Sequence, residues 1–365
     1  MKKTTLGKTT AAMLTTIMML NGSPMVSAYS GTIEGEKTTT FEKYLVMDKD
    51  ANVPNASFTY SISAGTPTND ILAGVDANKV TMEGVDTETA NTITYKPNDT
   101  TSSDANNKIK NFNSSTQKYA LKKATLDFSQ CQFQQPGIYR YVLTELGVNQ
   151  AITNDEATTR TIDVYVENAE GNSLKIAGYV LHSGTGSNKS QGYTNNYDTS
   201  DLTFRKEVSG NQASHDKYFK FTVNITGAKA NTVYNVDLTN ADSTVNGHTN
   251  PTTLTVGTNG TVSADYYLKH GQEIKVEGIA KDSKYNVTED NDGYSSKAAS
   301  VENYNDPTSG TIVSSDLKTS YLNEKTGTIP TGVIISVAPF AAITLFAVAG
   351  MVTIKMSKKR KTNED

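Results

Sequence analysis

The sequence predicts an all-β chain built as two tandem immunoglobulin-like β-sandwich domains, and three observations predict it. The 365 residues include 19 tyrosines and no tryptophan, and with many Thr, Val and Asn residues this composition favours strands and turns over helices. Short alternating segments recur with turn residues between them, the pattern of sandwich strands. The two halves also repeat in outline: each opens on a Lys-containing strand, places a Tyr-x-x-x-Glu strand late and closes on an Asn strand.

Tyr29 to Thr39 is polar and reads as a mobile leader. Thr40 to Met47 is the first strong strand, ended by Asp48-Lys49-Asp50-Ala51-Asn52, and Phe58 to Ile62 alternates as the second. Asn69 to Ala77 has room for one or two helical turns, Asn91 to Tyr95 returns to strand, and the polar stretch from Asn98 to Gln117 reads as a long surface loop. Strands resume at Ala124 to Phe128, Gly137 to Glu145, Thr161 to Glu167, Leu174 to Leu181 and Tyr193 to Tyr197. Asp198-Thr199-Ser200-Asp201 separates the halves. The second series opens at Leu202 and continues at Phe219 to Ile225, Thr232 to Leu238, Thr252 to Val256, Thr261 to Leu268, Gln272 to Ile279, Tyr285 to Glu289 and Tyr321 to Asn323.

Both ends carry export signals. Lys2, Lys3 and Lys8, an apolar stretch from Ala11 to Leu20 and the small residues Val26-Ser27-Ala28 predict a signal peptide over residues 1–28. The uncharged, mostly apolar run from Val333 to Ile354 is long enough for one membrane span, and Lys355, Lys358, Lys359, Arg360 and Lys361 hold its far end in the cytoplasm. The expected organisation is a signal peptide (1–28), an N-terminal domain (29–198), a C-terminal domain (199–327) and a C-terminal signal (328–365: motif 328–332, span 333–354, basic tail 355–365). Removing the ends takes away eight of 34 basic and two of 38 acidic residues, leaving 26 against 36. A net charge of −10 argues against nucleic acid or anionic membrane as a partner. One cysteine, Cys131, allows no intramolecular disulfide.

Residues two apart in a strand share a face. Lys43 thus lies with Phe41, Leu45 and Met47, and Lys206 with Leu202, Phe204 and Val208. Glu145 is in register with Tyr139, Tyr141 and Leu143, and Glu289 with Tyr285 and Val287. Asn195 lies between Tyr193 and Tyr197, and Asn323 follows Leu317, Thr319 and Tyr321; the competitor Asn196 has the opposite parity. For one strand, snorkelling from a sheet edge or a salt bridge explains an inward lysine. Finding Lys, Glu and Asn in both halves favours chemistry. Desolvation lowers a lysine's pKa and raises a glutamate's, so a neutral amine can attack a carboxamide while the acid polarises the carbonyl and moves protons to the departing ammonia.

Thr328-Ile329-Pro330-Thr331-Gly332, one span and a basic tail together resemble the cell-wall sorting signal of Gram-positive surface proteins, which a sortase cleaves between Thr and Gly. The motif departs from Leu-Pro-x-Thr-Gly, since Pro330 directly precedes Thr331. Variants of this kind resemble those of the streptococcal T-antigen type major pilins. So do the strand Leu202 to Lys206, the segments Pro136 to Glu145 and Tyr285 to Glu289, and Asn323 seven residues before Pro330. The resemblance implies two collagen-adhesin B type domains, each locked by an autocatalytic isopeptide bond: Lys43 to Asn195 with Glu145, and Lys206 to Asn323 with Glu289. It implies a pilus and cell-wall location, and as partners copies of the chain, a sortase, minor pilins, peptidoglycan and a host receptor.

A polymer needs an exposed lysine to receive the neighbour's Thr331. Lys189, in the flexible stretch Ser183 to Gly192, is where related pilins carry theirs, and Lys175 is the reserve. Other signals are weaker. Cys131 lacks the aromatic context of a thioester and reads as a core thiol. Asp48, Asp50 and Asn52 begin like a calcium loop, but Val53 and Thr59 stand where Gly and Glu are needed. His182, His215, His248 and His270 have no zinc spacing, so neither metal nor cofactor is expected. The expected function is a structural major pilin that catalyses only its own cross-links. The alternative is a monomeric wall-anchored adhesin of the same domain type.

Overall fold

The computed structural model describes residues 33–84, 89–147 and 149–328. The expected signal peptide, Thr331, Gly332 and the expected span lie outside the described residues. The described chain is almost entirely strand and turn, with two 3-10 turns, at Ala77–Lys79 and Glu170–Asn172.

The N-terminal sandwich is built from β1 (Thr38–Asp48), β2 (Ala56–Ala64), β3 (Thr92–Tyr95), β4 (Gln117–Asp127), β5 (Gly137–Leu146), β6 (Thr159–Asn168), β7 (Leu174–Ser183) and β8 (Gly192–Tyr197). One sheet runs β7-β6-β5-β2-β3 and the facing one β8-β1-β4, with shorter strands along their margins. Phe41, Leu45, Phe58, Tyr60, Tyr95, Tyr141 and Tyr193 meet between them in one core.

The C-terminal sandwich follows the same plan with β9 (Thr199–Ser209), β10 (Phe219–Thr226), β11 (Val233–Asp237), β12 (Thr253–Thr255), β13 (Thr261–Leu268), β14 (Glu273–Ala280), β15 (Lys284–Glu289), β16 (Ser295–Ala298), β17 (Ser309–Thr311) and β18 (Leu317–Glu324). Its sheets run β12-β11-β14-β9-β18-β16 and β13-β10-β15-β17. Leu202, Phe204, Phe221, Val223, Tyr266, Ile274 and Val287 form the second core.

In both units the first strand lies beside the last, and the pair is parallel: β1 with β8, β9 with β18. A parallel pair cannot be joined by a hairpin, so the rest of each domain must be wound between the two strands. Gly192 opens β8 with φ +154°, and a Cβ there would collide with the Glu42 carbonyl oxygen, so only glycine lets β8 start this close to β1.

Three expectations shift and one gains detail. Residues 33–39 are not a free leader: Ile33 is buried, Glu34–Gly35 pairs with β7, and Thr38 already belongs to β1. Asn69 to Ala77 is not helical, because Ile71–Ala73 pairs parallel to β5. The stretch from 98 to 117 is the expected surface loop, with a short strand at Thr101–Ser102, and it is anchored where Ile109 is buried with Tyr44 and Val46 while Phe112 packs beside them. Separation of the halves narrows to Asp198, with β9 starting at Thr199.

The two units also touch. Asn52 Nδ2 donates to Val233 O (3.1 Å) and Asn235 Oδ1 (2.9 Å), and Thr199 Oγ1 donates to Asp48 Oδ2 (3.1 Å). The turn that began like a calcium loop thus serves as a domain contact.

Candidate functional site

β1 is flanked by β8 and β4, and β9 by β14 and β18. Neither lysine is on an edge, which removes snorkelling as an explanation: Lys43 and Lys206 are both 0% exposed. On the neighbouring strand Lys43 is paired with Tyr193, and Asn195 follows two residues on, on the same face. Lys206 is paired with Tyr321, and Asn323 follows by the same step. Both asparagines are fully buried, whereas Asn196 is exposed.

Each glutamate reaches the pair from the opposite sheet. Glu145, on β5, places Oε2 2.5 Å from Lys43 Nζ, and its Oε1 accepts from Asn195 Nδ2 at 2.6 Å. Tyr60 OH donates to the same Oε2 at 2.8 Å. On β15, Glu289 Oε1 lies 2.5 Å from Lys206 Nζ, and Ser296 Oγ donates to Oε2 at 3.0 Å. Neither side-chain atom of Asn323 has a well-aligned hydrogen-bond partner.

Two further contacts repeat between the domains. Tyr193 OH donates to Leu143 O at 2.7 Å, and Tyr321 OH to Val287 O at 3.0 Å. In both, the tyrosine two before the asparagine grips the carbonyl two before the glutamate, which fixes the Asn and Glu strands across the sandwich. A phenylalanine ring covers each ammonium, Phe58 at 4.2 Å from Lys43 Nζ and Phe219 at 4.3 Å from Lys206 Nζ. These rings exclude water.

Burial pulls Lys43 down to about 8 against the opposing pull of Glu145, and it pulls Lys206 down to about 8 against Glu289. Burial also raises the Glu289 carboxyl, opposed by Lys206. The lowered lysine values favour the neutral amine, and the raised Glu289 value favours the neutral acid beside it. The arrangement thus combines a desolvated nucleophile, a carboxamide and a carboxyl group bridging them, the components of amide exchange.

Lys189 lies in the β7–β8 connection, exposed, with a backbone bridge to His182, beside an open groove of about 850 Å³. The reserve Lys175 pairs with Glu167 at 3.0 Å. Cys131 is buried and its thiol is pushed up to about 11 by burial, the setting of an inert core thiol. Among the histidines, His215 and His270 stack with ring centres 4.0 Å apart, a contact sequence spacing did not reveal. The parity argument also missed the groups around Asn195. Asn154, Asp155 and Arg160 belong to the β5–β6 connection and the start of β6, where no periodic signal places a side chain.

Residues 33–198 match the family described as "Spy0128-like isopeptide containing domain". Residues 200–325 match a family described as "Domain of unknown function (DUF7601)". The chain is 28% identical over 355 residues to a protein of Streptococcus pyogenes serotype M1 named "Pilin", an alignment covering 91% of this chain and 96% of that one. Among solved structures, the major pilin from Streptococcus pyogenes matches with a TM-score of 0.52 and 22% identity, over 80% of this chain and 100% of that one. That structural likeness speaks to the fold.

Proposed function

We propose that the chain, as its likeness to a streptococcal pilin and to an isopeptide-containing domain family supports, is the structural subunit of a cell-surface pilus, cross-linked within each domain by its own chemistry and joined head to tail by a sortase. The observation that carries this reading is the duplicated Lys–Glu–Asn trio, its side chains buried in the same place in both sandwiches and set where the first strand lies beside the last.

In each trio the lysine amine displaces ammonia from the asparagine carboxamide: Lys43 with Asn195 assisted by Glu145, Lys206 with Asn323 assisted by Glu289. Each domain reacts once, so the chain is not a turnover enzyme. Burying an unpaired polar group costs about 1–3 kcal/mol and a charge more; the reaction replaces a buried ammonium and a primary carboxamide with one neutral secondary amide. Closing loops of this length would, on the chain-entropy treatment of disulfides, remove about 5 kcal/mol of unfolded-state entropy per bond. For polymerisation, a sortase would cleave between Thr331 and Gly332 and pass the Thr331 acyl group to Lys189 of the next copy. Minor pilins and peptidoglycan would be further acceptors, and the finished fibre would present surfaces to a host receptor.

The deciding measurement is the intact mass of residues 29–331. Expected is a deficit of two ammonia molecules, falling to one in Glu145→Ala and to one in Glu289→Ala. A full calculated mass for the unaltered chain would reduce both trios to ordinary polar core groups and leave the monomeric adhesin as the better reading.

A further inference from the structure

Attack on Asn195 builds negative charge on its side-chain oxygen, and Glu145, expected from the sequence to polarise the carbonyl, faces the amide nitrogen instead. Its Oε1 takes the amide nitrogen of Asn195, and its Oε2 is engaged by Lys43 and Tyr60. At the other end of the carboxamide, the backbone N–H of Asp155 donates to Asn195 Oδ1 at 3.1 Å. A backbone N–H can only donate, so this contact and the carboxylate opposite agree on which end of the carboxamide is oxygen.

The geometry points to the Asp155 backbone N–H as the oxyanion donor of the N-terminal cross-linking reaction, an inference that rests on the isopeptide reading above. The donor is held by its own side chain. Asp155 Oδ2 accepts from Thr194 N (2.7 Å) and Arg160 Nη2 (2.8 Å), and Oδ1 accepts from Ala157 N (3.1 Å). Arg160 is itself buried, stacked 4.4 Å from the Tyr193 ring centre and donating to Gly192 O at 2.7 Å. Thr194 immediately precedes Asn195, so the turn carrying the donor is fastened to the strand carrying the carboxamide. Asn154 Oδ1 accepts from Asn195 Nδ2 at 3.3 Å, a second hold on the leaving nitrogen.

The step then balances. The Lys43 lone pair forms a bond to Asn195 Cγ while the carbonyl pair moves to Oδ1, where the Asp155 N–H meets it. The Glu145 carboxylate takes a proton from the Nζ that attack has made cationic and passes it to the departing Nδ2, ending as it began. The Cγ–Nδ2 bond breaks, the carbonyl reforms, and amine plus carboxamide have become secondary amide plus ammonia. Preorganised donors of this kind act where charge develops, and loss of one typically costs about 100- to 1,000-fold in rate.

The C-terminal trio shows no matching contact: Asn323 Oδ1 has no well-aligned donor. The two bonds should therefore form at different rates. The test is a cell-free synthesis pulse of residues 29–331, acid-quenched at intervals, with the extent of each cross-link read from peptide masses. Expected is a Lys43–Asn195 link that completes at least about 10-fold sooner than Lys206–Asn323. Asp155→Ala, which unfastens the turn, should slow the first link about 10-fold or more and leave the second unchanged. Folding is checked by comparing the melting of Asp155→Ala with its parent in an Asn195→Ala background. Should the substitution unfold the sandwich, the order of the two links in the unaltered chain decides. An N-terminal link that forms second, or at full rate in a folded Asp155→Ala chain, overturns the donor assignment. Absence of both links in the unaltered chain instead overturns the bond reading beneath it.

Discussion

Lys43 and Lys206 each lie 2.5 Å from a carboxylate oxygen yet have their pKa values lowered, because burial outweighs that pairing. A measurable pH dependence follows for Asn195→Ala, in which the N-terminal bond cannot form. Lys43 titrates near 8 in the folded chain and near its ordinary 10.5 when unfolded. Between those values the unfolded chain holds more protons. Stability therefore rises with pH from about 8 to about 10.5 and is lost as pH falls through the folded value. Denaturant titrations of Asn195→Ala against the double variant Lys43→Met, Asn195→Ala should diverge across that window by about 3 kcal/mol; parallel curves would mean that Lys43 titrates normally. Strand parity was enough to read Lys43, Glu145, Asn195 and their C-terminal counterparts as inward. It could not reach Asp155 or Asn154, whose contribution depends on loop backbone, nor the role of Tyr60, which parity places in the core without saying what its hydroxyl meets.

At the scale of elements, the periodic centres of most strands were legible, while their ends and the short marginal strands were not. Pairing extends β4 back to Gln117 and β18 out to Leu317 and Glu324, past residues whose local preference is for turns. How the loop over 98–117 is held was not legible, because Ile109 and Phe112 are isolated apolar residues in a polar stretch, and their partners, Tyr44 and Val46 of β1 and Tyr119 of β4, lie on other strands. The β7–β8 connection presents Lys189 outward while Gly192, three residues on, locks β8 against β1. On so short a leash the proposed acceptor is held in a defined place, beside the groove lined by Tyr44, Phe112 and Arg160. Lys189→Ala in the native host should abolish the polymer ladder on denaturing gels and leave monomer secreted or wall-bound. An undiminished ladder would reject Lys189 and direct attention to Lys175.

For the whole molecule, the position of the acceptor and the single residue between β8 and β9 together set a line of tension. With the proposed joint at Lys189, a pull from the preceding subunit enters just before β8, runs along that strand through Asp198 into β9, and crosses at Lys206 to Asn323. It leaves through β18 toward Thr331. Chain between residues 206 and 323 is shunted out of that line by the second bond, whereas residues 33–188 hang beside it whether or not the first bond exists. Pulling single molecules between residue 189 and the C-terminal end of residues 29–331 should show no unfolding step in the unaltered chain. Glu289→Ala should add one step, the release of the C-terminal sandwich, and Glu145→Ala should add none. A step in Glu145→Ala alone would place the N-terminal sandwich in series. On this division of labour only one of the two bonds is a tendon. The other guards a passenger, keeping the N-terminal sandwich intact against heat and proteases while the strain runs past it.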